Sequence, residues 1–393
     1  MNWWVDYFSP SRMMRPMVVV GGLSAAIIGT VVFIFLADWL AFDNEKTQTG
    51  YRGLGMVQFT PEQEAEMLRA ANQPPEMQDP IPPYEGEPLA KDVYENVQVL
   101  GEVPQGNFLR LMSAMTEWVA PEQGCNYCHA GADEGNYADP SLYTYKVARR
   151  MIQMTQNINA NWSDNHVAPA GVNCYTCHRG QNVPEYIWFE EPRPEGAARL
   201  GPETMRQNRA DETVGYSSLP GDPLTAFLLE EYPIRVIGNA PRTDAPYEEQ
   251  ATIQDTEWTY GLMFHMSESL GVNCVFCHNS RAMGVWEQSP PQRMNAWYGI
   301  RMVRDLNQNY MHPIDYYPPK RLGPLGDAPK GNCTTCHQGV NKPMYGADMI
   351  SQWPELAAPG APDYSAWTEE AASLLAPAED GDKRADAGDV APN

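Results

Sequence analysis

The sequence has no cysteine to spare: all eight fall into four copies of Cys-x-x-Cys-His, at Cys125–Cys128–His129, Cys174–Cys177–His178, Cys274–Cys277–His278 and Cys333–Cys336–His337. A disulfide framework or a set of structural zinc sites is thereby disfavoured, because neither needs a histidine after every second cysteine. Histidine is scarce too. Seven are present, four belong to the motifs, and only His166, His265 and His312 remain. Basic charge is also short, with 27 Lys and Arg against 50 Asp and Glu, a net charge of −23. Such a field repels nucleic acid and attracts basic proteins. Thirty-five prolines break long helices and exclude central strands. The 393 residues therefore read as mainly α, with short helices joined by long irregular loops.

Cys-x-x-Cys-His is the attachment pattern of a c-type haem, in which two thiols bond to the porphyrin vinyl groups and the adjacent histidine reaches the iron. Four copies predict four covalently bound haem c groups, held through the eight cysteines, with His129, His178, His278 and His337 as proximal iron ligands. Apolar porphyrins would supplement a hydrophobic content of 43%, which is lean for a large packed core. In bacteria this attachment is completed outside the cytoplasmic membrane, so the haem domain is expected in the periplasm.

The N-terminus offers the export route. Met17 to Ala37 is a run of 21 uncharged residues, long enough at about 1.5 Å per residue to cross a hydrocarbon core of about 30 Å. Arg12 and Arg15 precede it, and Asp38, Asp43 and Glu45 follow. The positive-inside bias then places residues 1–16 in the cytoplasm and makes 17–40 a single transmembrane anchor. No small-x-small site closes the run, so cleavage as a signal peptide is not expected.

Beyond the anchor, residues 41–105 read as an extended wrapping segment with a helix from Thr60-Pro61-Glu62, Thr60 capping it. Residues 106–189 form a first two-haem half, 190–250 a connector with a short helix near Leu224 to Glu230, 251–350 a second half, and 351–393 an acidic Ala/Pro-rich tail. Apolar periodicity predicts helices from Asn107 to Val119, about Ser141 to Asn159, Trp258 to Leu270 and Arg293 to Asn309, each ahead of a motif. Arg150-Met151-Ile152-Gln153 before Gly171-Val172-Asn173-Cys174 is echoed by Arg301-Met302-Val303-Arg304 before Gly331-Asn332-Cys333. That echo implies two pseudo-repeated two-haem halves.

Three spare histidines cannot serve four distal positions, so at least one haem is not bis-histidine and methionine becomes the expected distal ligand. Thioether ligation favours reduced iron and raises the potential. Each helix before a motif carries candidates: Met112 and Met115, Met151 and Met154, Met263 and Met266, Met294 and Met302. Members of a pair three residues apart share about one helix face, so periodicity does not separate them.

Blocks beyond the motifs carry a family resemblance. Met112-Ser113-Ala114-Met115-Thr116-Glu117-Trp118-Val119, Gly171-Val172-Asn173-Cys174-Tyr175-Thr176-Cys177-His178-Arg179-Gly180, Ser269-Leu270-Gly271-Val272-Asn273-Cys274 and Gly299-Ile300-Arg301-Met302-Val303-Arg304-Asp305-Leu306-Asn307 are among them. Over roughly Tyr94 to Leu356 the chain resembles the tetrahaem cytochrome c subunit of the photosynthetic reaction centre of purple bacteria. The resemblance implies distal ligands Met112, Met151 and Met263 for the first three haems and His166 for the fourth; the internal repeat taken alone offers Met302 instead. It also implies an electron relay, not an enzyme, that accepts electrons from a soluble cytochrome c or high-potential iron–sulfur protein and re-reduces the photo-oxidised bacteriochlorophyll pair. Implied partners are the reaction-centre core subunits, the light-harvesting ring and the membrane. Many relatives are tethered by a lipidated cysteine; this chain has none free, so the helix is expected to replace it. A respiratory tetrahaem cytochrome or a multihaem reductase is the alternative.

Overall fold

The computed structural model describes residues 21–35, 44–49, 56–192, 212–236, 251–311 and 317–368. They divide into two compact units. One comprises the chain up to Gln73 together with Val272–Arg293, the other Pro74–Gly271 together with the chain from Met294 onward. Of the expected anchor, residues 21–35 are helical and exposed, while 17–20 and 36–40 lie outside the described residues. No helix among the described residues is long and apolar enough to cross a membrane.

In the smaller unit, part of the expected wrapping segment is a hairpin. Strands β1 (Asn44–Thr49) and β2 (Met56–Pro61) are antiparallel, with Asn44 opposite Pro61 and Thr49 opposite Met56. Helix α1 (Glu62–Ala71) follows directly. Thr60 does not cap it: strand pairing sets Thr60 opposite Glu45, and Pro61 takes the N-cap position without a side-chain bond. Glu62 and Glu64 in the first turn and Arg69 in the last complement the helix dipole. The third motif also belongs to this unit, on a single 3₁₀ turn at Cys274–Phe276.

The larger unit contains α2 (Gln105–Val119), α3 (Tyr143–Asn161), the single-turn α4 (Cys174–His178), α5 (Ile253–Leu270), α6 (Gln292–Leu306, from Met294 onward) and the single-turn α7 (Cys333–His337). The long helices lie where apolar spacing predicts them. Helix α5 starts earlier than Trp258 because Thr252 and Asp255 form a capping box, the Asp255 N–H donating to Thr252 Oγ1 at 3.1 Å and the Thr252 N–H to Asp255 Oδ2 at 2.7 Å. It ends at Gly271 in the left-handed region, φ 61°, where a Cβ would collide with the Gly339 carbonyl. The backbone of α5 thereby closes on the loop after the fourth motif.

Two apolar clusters form the core of this unit. In one, Phe227 and Leu228 pack with Leu262 of α5 and Ile300 and Val303 of α6. The described part of the expected connector is thus fully buried core at these positions. The other joins Leu111 and Trp118 of α2 and Ile152 of α3 to Trp353 and Leu356, at the start of the expected tail. Burial of each such large side chain contributes about 1.5–3 kcal/mol. A polar clasp reinforces the second cluster: Arg110 Nη2 donates to Glu355 Oε1 at 2.9 Å, Tyr364 OH donates to the same oxygen at 2.7 Å, and the Arg110 guanidinium lies 4.0 Å from the Trp353 ring centre. A short ladder pairs β3 (Ile187–Trp188) with β4 (Lys330–Gly331), bringing the chain after the second motif to the approach of the fourth.

Candidate functional site

Each motif closes one helical turn. In α4 and α7 the turn is opened by an asparagine, with Thr176 N–H donating to Asn173 Oδ1 at 3.3 Å and Thr335 N–H to Asn332 Oδ1 at 3.1 Å. It is closed by a left-handed residue after the histidine, Arg179 (φ 51°) or Gln338 (φ 46°). The first and third motifs use 3₁₀ turns at Gly124–Tyr127 and Cys274–Phe276, and there the N–H of His129 and of His278 donates to the carbonyl of Cys125 and of Cys274, each at 3.0 Å. A turn stacks the first cysteine and the histidine on one face, with the second cysteine alongside. Both thiols and the imidazole then reach one planar ligand.

The four motif imidazoles share a second feature. Nδ1 of His129, His178, His278 and His337 lies 2.8, 2.9, 2.8 and 3.0 Å from the carbonyl oxygens of Tyr137, Gln181, Met283 and Val340. Donation from Nδ1 to a carbonyl fixes the ring and leaves the Nε2 lone pair for a metal. Burial disfavours the charged form of three of them: it lowers the pKa of His178 and His278, and with nearby His166 pushes that of His337 down to about 4. Burial also raises the thiols of Cys128 and Cys277 to about 11 and of Cys174 and Cys333 to about 12. Carbonyl-held imidazoles and paired thiols at this spacing fit covalent haem.

His166 stands on a π-turn, Ser163–Val167, just after α3, and its Nδ1 lies 2.9 Å from the Asn295 carbonyl of α6. Its ring centre is 6.2 Å from that of His337, with the planes at 67°. An ion bound by two imidazole nitrogens at about 2 Å each sets the ring centres about 6 Å apart. The spacing fits an iron between these two side chains. Room for the ring comes from Gly299, where a Cβ would lie 2.6 Å from His166 Cε1 and 3.1 Å from each ring nitrogen. Periodicity alone does not assign Gly299 or the Asn295 carbonyl to the site. The available signal is a glycine inside a helical pattern, which costs about 1 kcal/mol relative to alanine and calls for a packing reason.

The other candidates separate by their surroundings. Met302, the rival offered by the repeat, is buried in the cluster around Leu262 and Ile300. Met154 packs against that cluster, whereas Met151, one turn earlier on α3, belongs to neither cluster. Met112 and Met115 both pack against the α2 cluster, and Met263 and Met266 against the α5 cluster. Met294 is 48% exposed. His265 is buried, and burial pushes its pKa down to about 4; its Nε2 lies 3.5 Å from Ser269 Oγ, and its Nδ1 is not fixed on a carbonyl as in the motif histidines. His312 lies outside the described residues.

The second and fourth motifs meet directly. Their turns α4 and α7 pack against one another, and Arg179 reaches across to donate from Nη2 to the Cys336 carbonyl at 3.1 Å. On one side α4 packs against α2, which carries Met112; on the other α7 packs against α5, which carries Met263.

Attachment turns with paired thiols and carbonyl-held imidazoles, set among short helices, define a c-type cytochrome. The family model of the photosynthetic reaction centre cytochrome c subunit matches residues 42–357, and the chain belongs to that family. It is 46% identical over 335 residues to the photosynthetic reaction center cytochrome c subunit of Thermochromatium tepidum, covering 85% of this chain and 78% of the relative. It is 45% identical over 378 residues to that of Roseobacter denitrificans, covering 92% and 99%, and 47% identical over 315 residues to that of Rubrivivax gelatinosus, covering 79% and 83%. Membership implies covalent haem c, photosynthetic electron transfer and association with reaction-centre subunits at a membrane.

Proposed function

We propose that the chain is a membrane-anchored relay with four haem c groups that takes electrons from a soluble periplasmic carrier and returns them to the photo-oxidised bacteriochlorophyll pair. The carrier is a small basic cytochrome c or a high-potential iron–sulfur protein. Bound haem iron supplies the one-electron chemistry, cycling between ferrous and ferric. The protein itself makes and breaks no substrate bond. Its eight motif cysteines hold the porphyrins, and His129, His178, His278 and His337 ligate from the proximal side. Met112, Met151 and Met263 ligate distally at the first three sites and His166 at the fourth. Support for the last assignment is the 6.2 Å spacing of the His166 and His337 rings.

Residues 17–40 act as the single-pass anchor, with 1–16 in the cytoplasm and the haem domain in the periplasm, seated on the reaction-centre core subunits beside the light-harvesting ring. Two halves, 106–189 and 251–350, derive from a duplication. The recurrence of the Asn-and-Thr capping box in the second and fourth motifs supports that origin.

The observation that carries the function is the set of four imidazoles, each with Nδ1 on a main-chain carbonyl and Nε2 available. Purification from membranes tests it. Bacteriochlorophyll proteins should accompany the chain, a pyridine haemochrome assay should give four haems per chain, and a flash should oxidise haem. Three or fewer haems in matured protein, or no associated bacteriochlorophyll, would overturn the proposal.

A further inference from the structure

We infer that Gly299 and the Asn295 carbonyl form the seat that holds the His166 ring toward His337, so that Gly299 is a positioning residue of the fourth haem site; this rests on the reading of His166 as the distal ligand there. The π-turn that carries His166 fixes its backbone, through His166 N–H to the Trp162 carbonyl at 2.9 Å and Ala168 N–H to the Ser163 carbonyl at 2.9 Å. Neither bond sets the ring. Orientation comes from α6, where Asn295 and Gly299 stand one turn apart on the same face. The carbonyl of the first meets Nδ1 at 2.9 Å, which fixes the ring and leaves Nε2 outside that bond. The missing side chain of the second lets the ring lie against the helix: a Cβ there would come within 2.6 Å of Cε1 and 3.1 Å of both nitrogens. These are atoms of a rigid ring, not the end of a flexible chain, so a methyl group at 299 must move the whole imidazole. Movement stretches the bond to Asn295 and alters the 6.2 Å and 67° relation to His337.

The fourth site thus draws on three separate segments. The repeat places Met151 and Met302 at matching positions, yet the distal group would come from the turn after α3 and its seat from α6. A glycine at 299 weakens α6, and admission of a foreign ring is the compensating gain.

The test uses full-length, haem-loaded protein in four forms: wild type, Gly299→Ala, His166→Ala and the double variant. The readouts are covalent haem content, the ferric low-spin EPR signal of the bis-histidine site, whose g values depend on the angle between the ring planes, and the midpoint potential of that site. His166→Ala should abolish the signal. Gly299→Ala should shift or abolish that signal alone and move that potential, with four haems still attached and the methionine-ligated signals unchanged. A wild-type EPR signal and potential in Gly299→Ala, alongside loss in His166→Ala, would overturn the seat while leaving the ligand in place. An unaltered signal in His166→Ala would overturn the ligand assignment and the seat with it. If Gly299→Ala fails to accumulate, the double variant decides: recovery shows that the methyl group acts through the His166 ring, and continued failure shows that Gly299 serves helix packing only.

Discussion

The imidazoles of His166 and His337 face one another at 6.2 Å between ring centres although they belong to opposite halves of the sequence. With His166 as the proposed distal ligand, the crossing would tie the turn after α3 to α7 and make the fourth site chemically unlike the others. Imidazole stabilises ferric iron more than thioether does, so that site should have a lower potential than a comparable methionine-ligated one.

Replacement of His166 by methionine should therefore raise the midpoint of one haem and leave three in place. Near-infrared spectra of the oxidised protein check this: the sulfur-to-iron charge-transfer intensity should grow from three haems' worth to four, while the bis-histidine EPR signal disappears. An unchanged spectrum would favour Met302 as the natural ligand.

Removal of the Glu355 carboxylate leaves Arg110 buried without its counter-charge. Loss of one partner from a buried pair costs about 3–5 kcal/mol, and here Tyr364 also loses its acceptor. Glu355→Ala should unfold at clearly lower temperature than wild type with haem content intact. Tyr364→Phe should cost less, on the order of 1 kcal/mol for a hydrogen bond. Thermal scans of the two variants side by side decide it, and equal melting points for wild type and Glu355→Ala would remove the clasp from the account.

The anchor predicts that N-terminal sequencing of the membrane-extracted protein finds the residues ahead of Met17 intact. Truncation before Asn44 should release a haem-loaded domain into the soluble fraction. Recovery of mature chains that begin after Ala37 would restore a signal-peptide role for the run.

A net charge of −23 predicts electrostatic docking of a basic donor. Re-reduction after a flash should slow as salt shortens the screening length below about 8–10 Å. A rate flat with salt would point to apolar docking or to a donor that is not basic.

Helix positions and the covalent chemistry were legible because both are local. One turn of Cys-x-x-Cys-His contains the thiols and the imidazole, and apolar spacing marks α2, α3, α5 and α6 with little help from their surroundings. Asn173 and Thr176, or Thr252 and Asp255, signal their caps within four residues. Pairing and burial follow a different logic. Thr60 looks like a cap until β1 claims it, and a stretch rich in proline and charge gave no sign that Phe227 and Leu228 would be fully buried.

By itself the sequence determined the number of attachment motifs, the histidine that closes each and the helical class, since each is written in contiguous residues that need no partner. Only the tertiary structure decided that Trp353 and Glu355 close the core around Arg110, that Arg179 reaches the Cys336 carbonyl, and that Gly299 admits the ring of His166. Those relations depend on which helix faces which, a packing outcome summed over the whole unit, and no spacing along the chain encodes it.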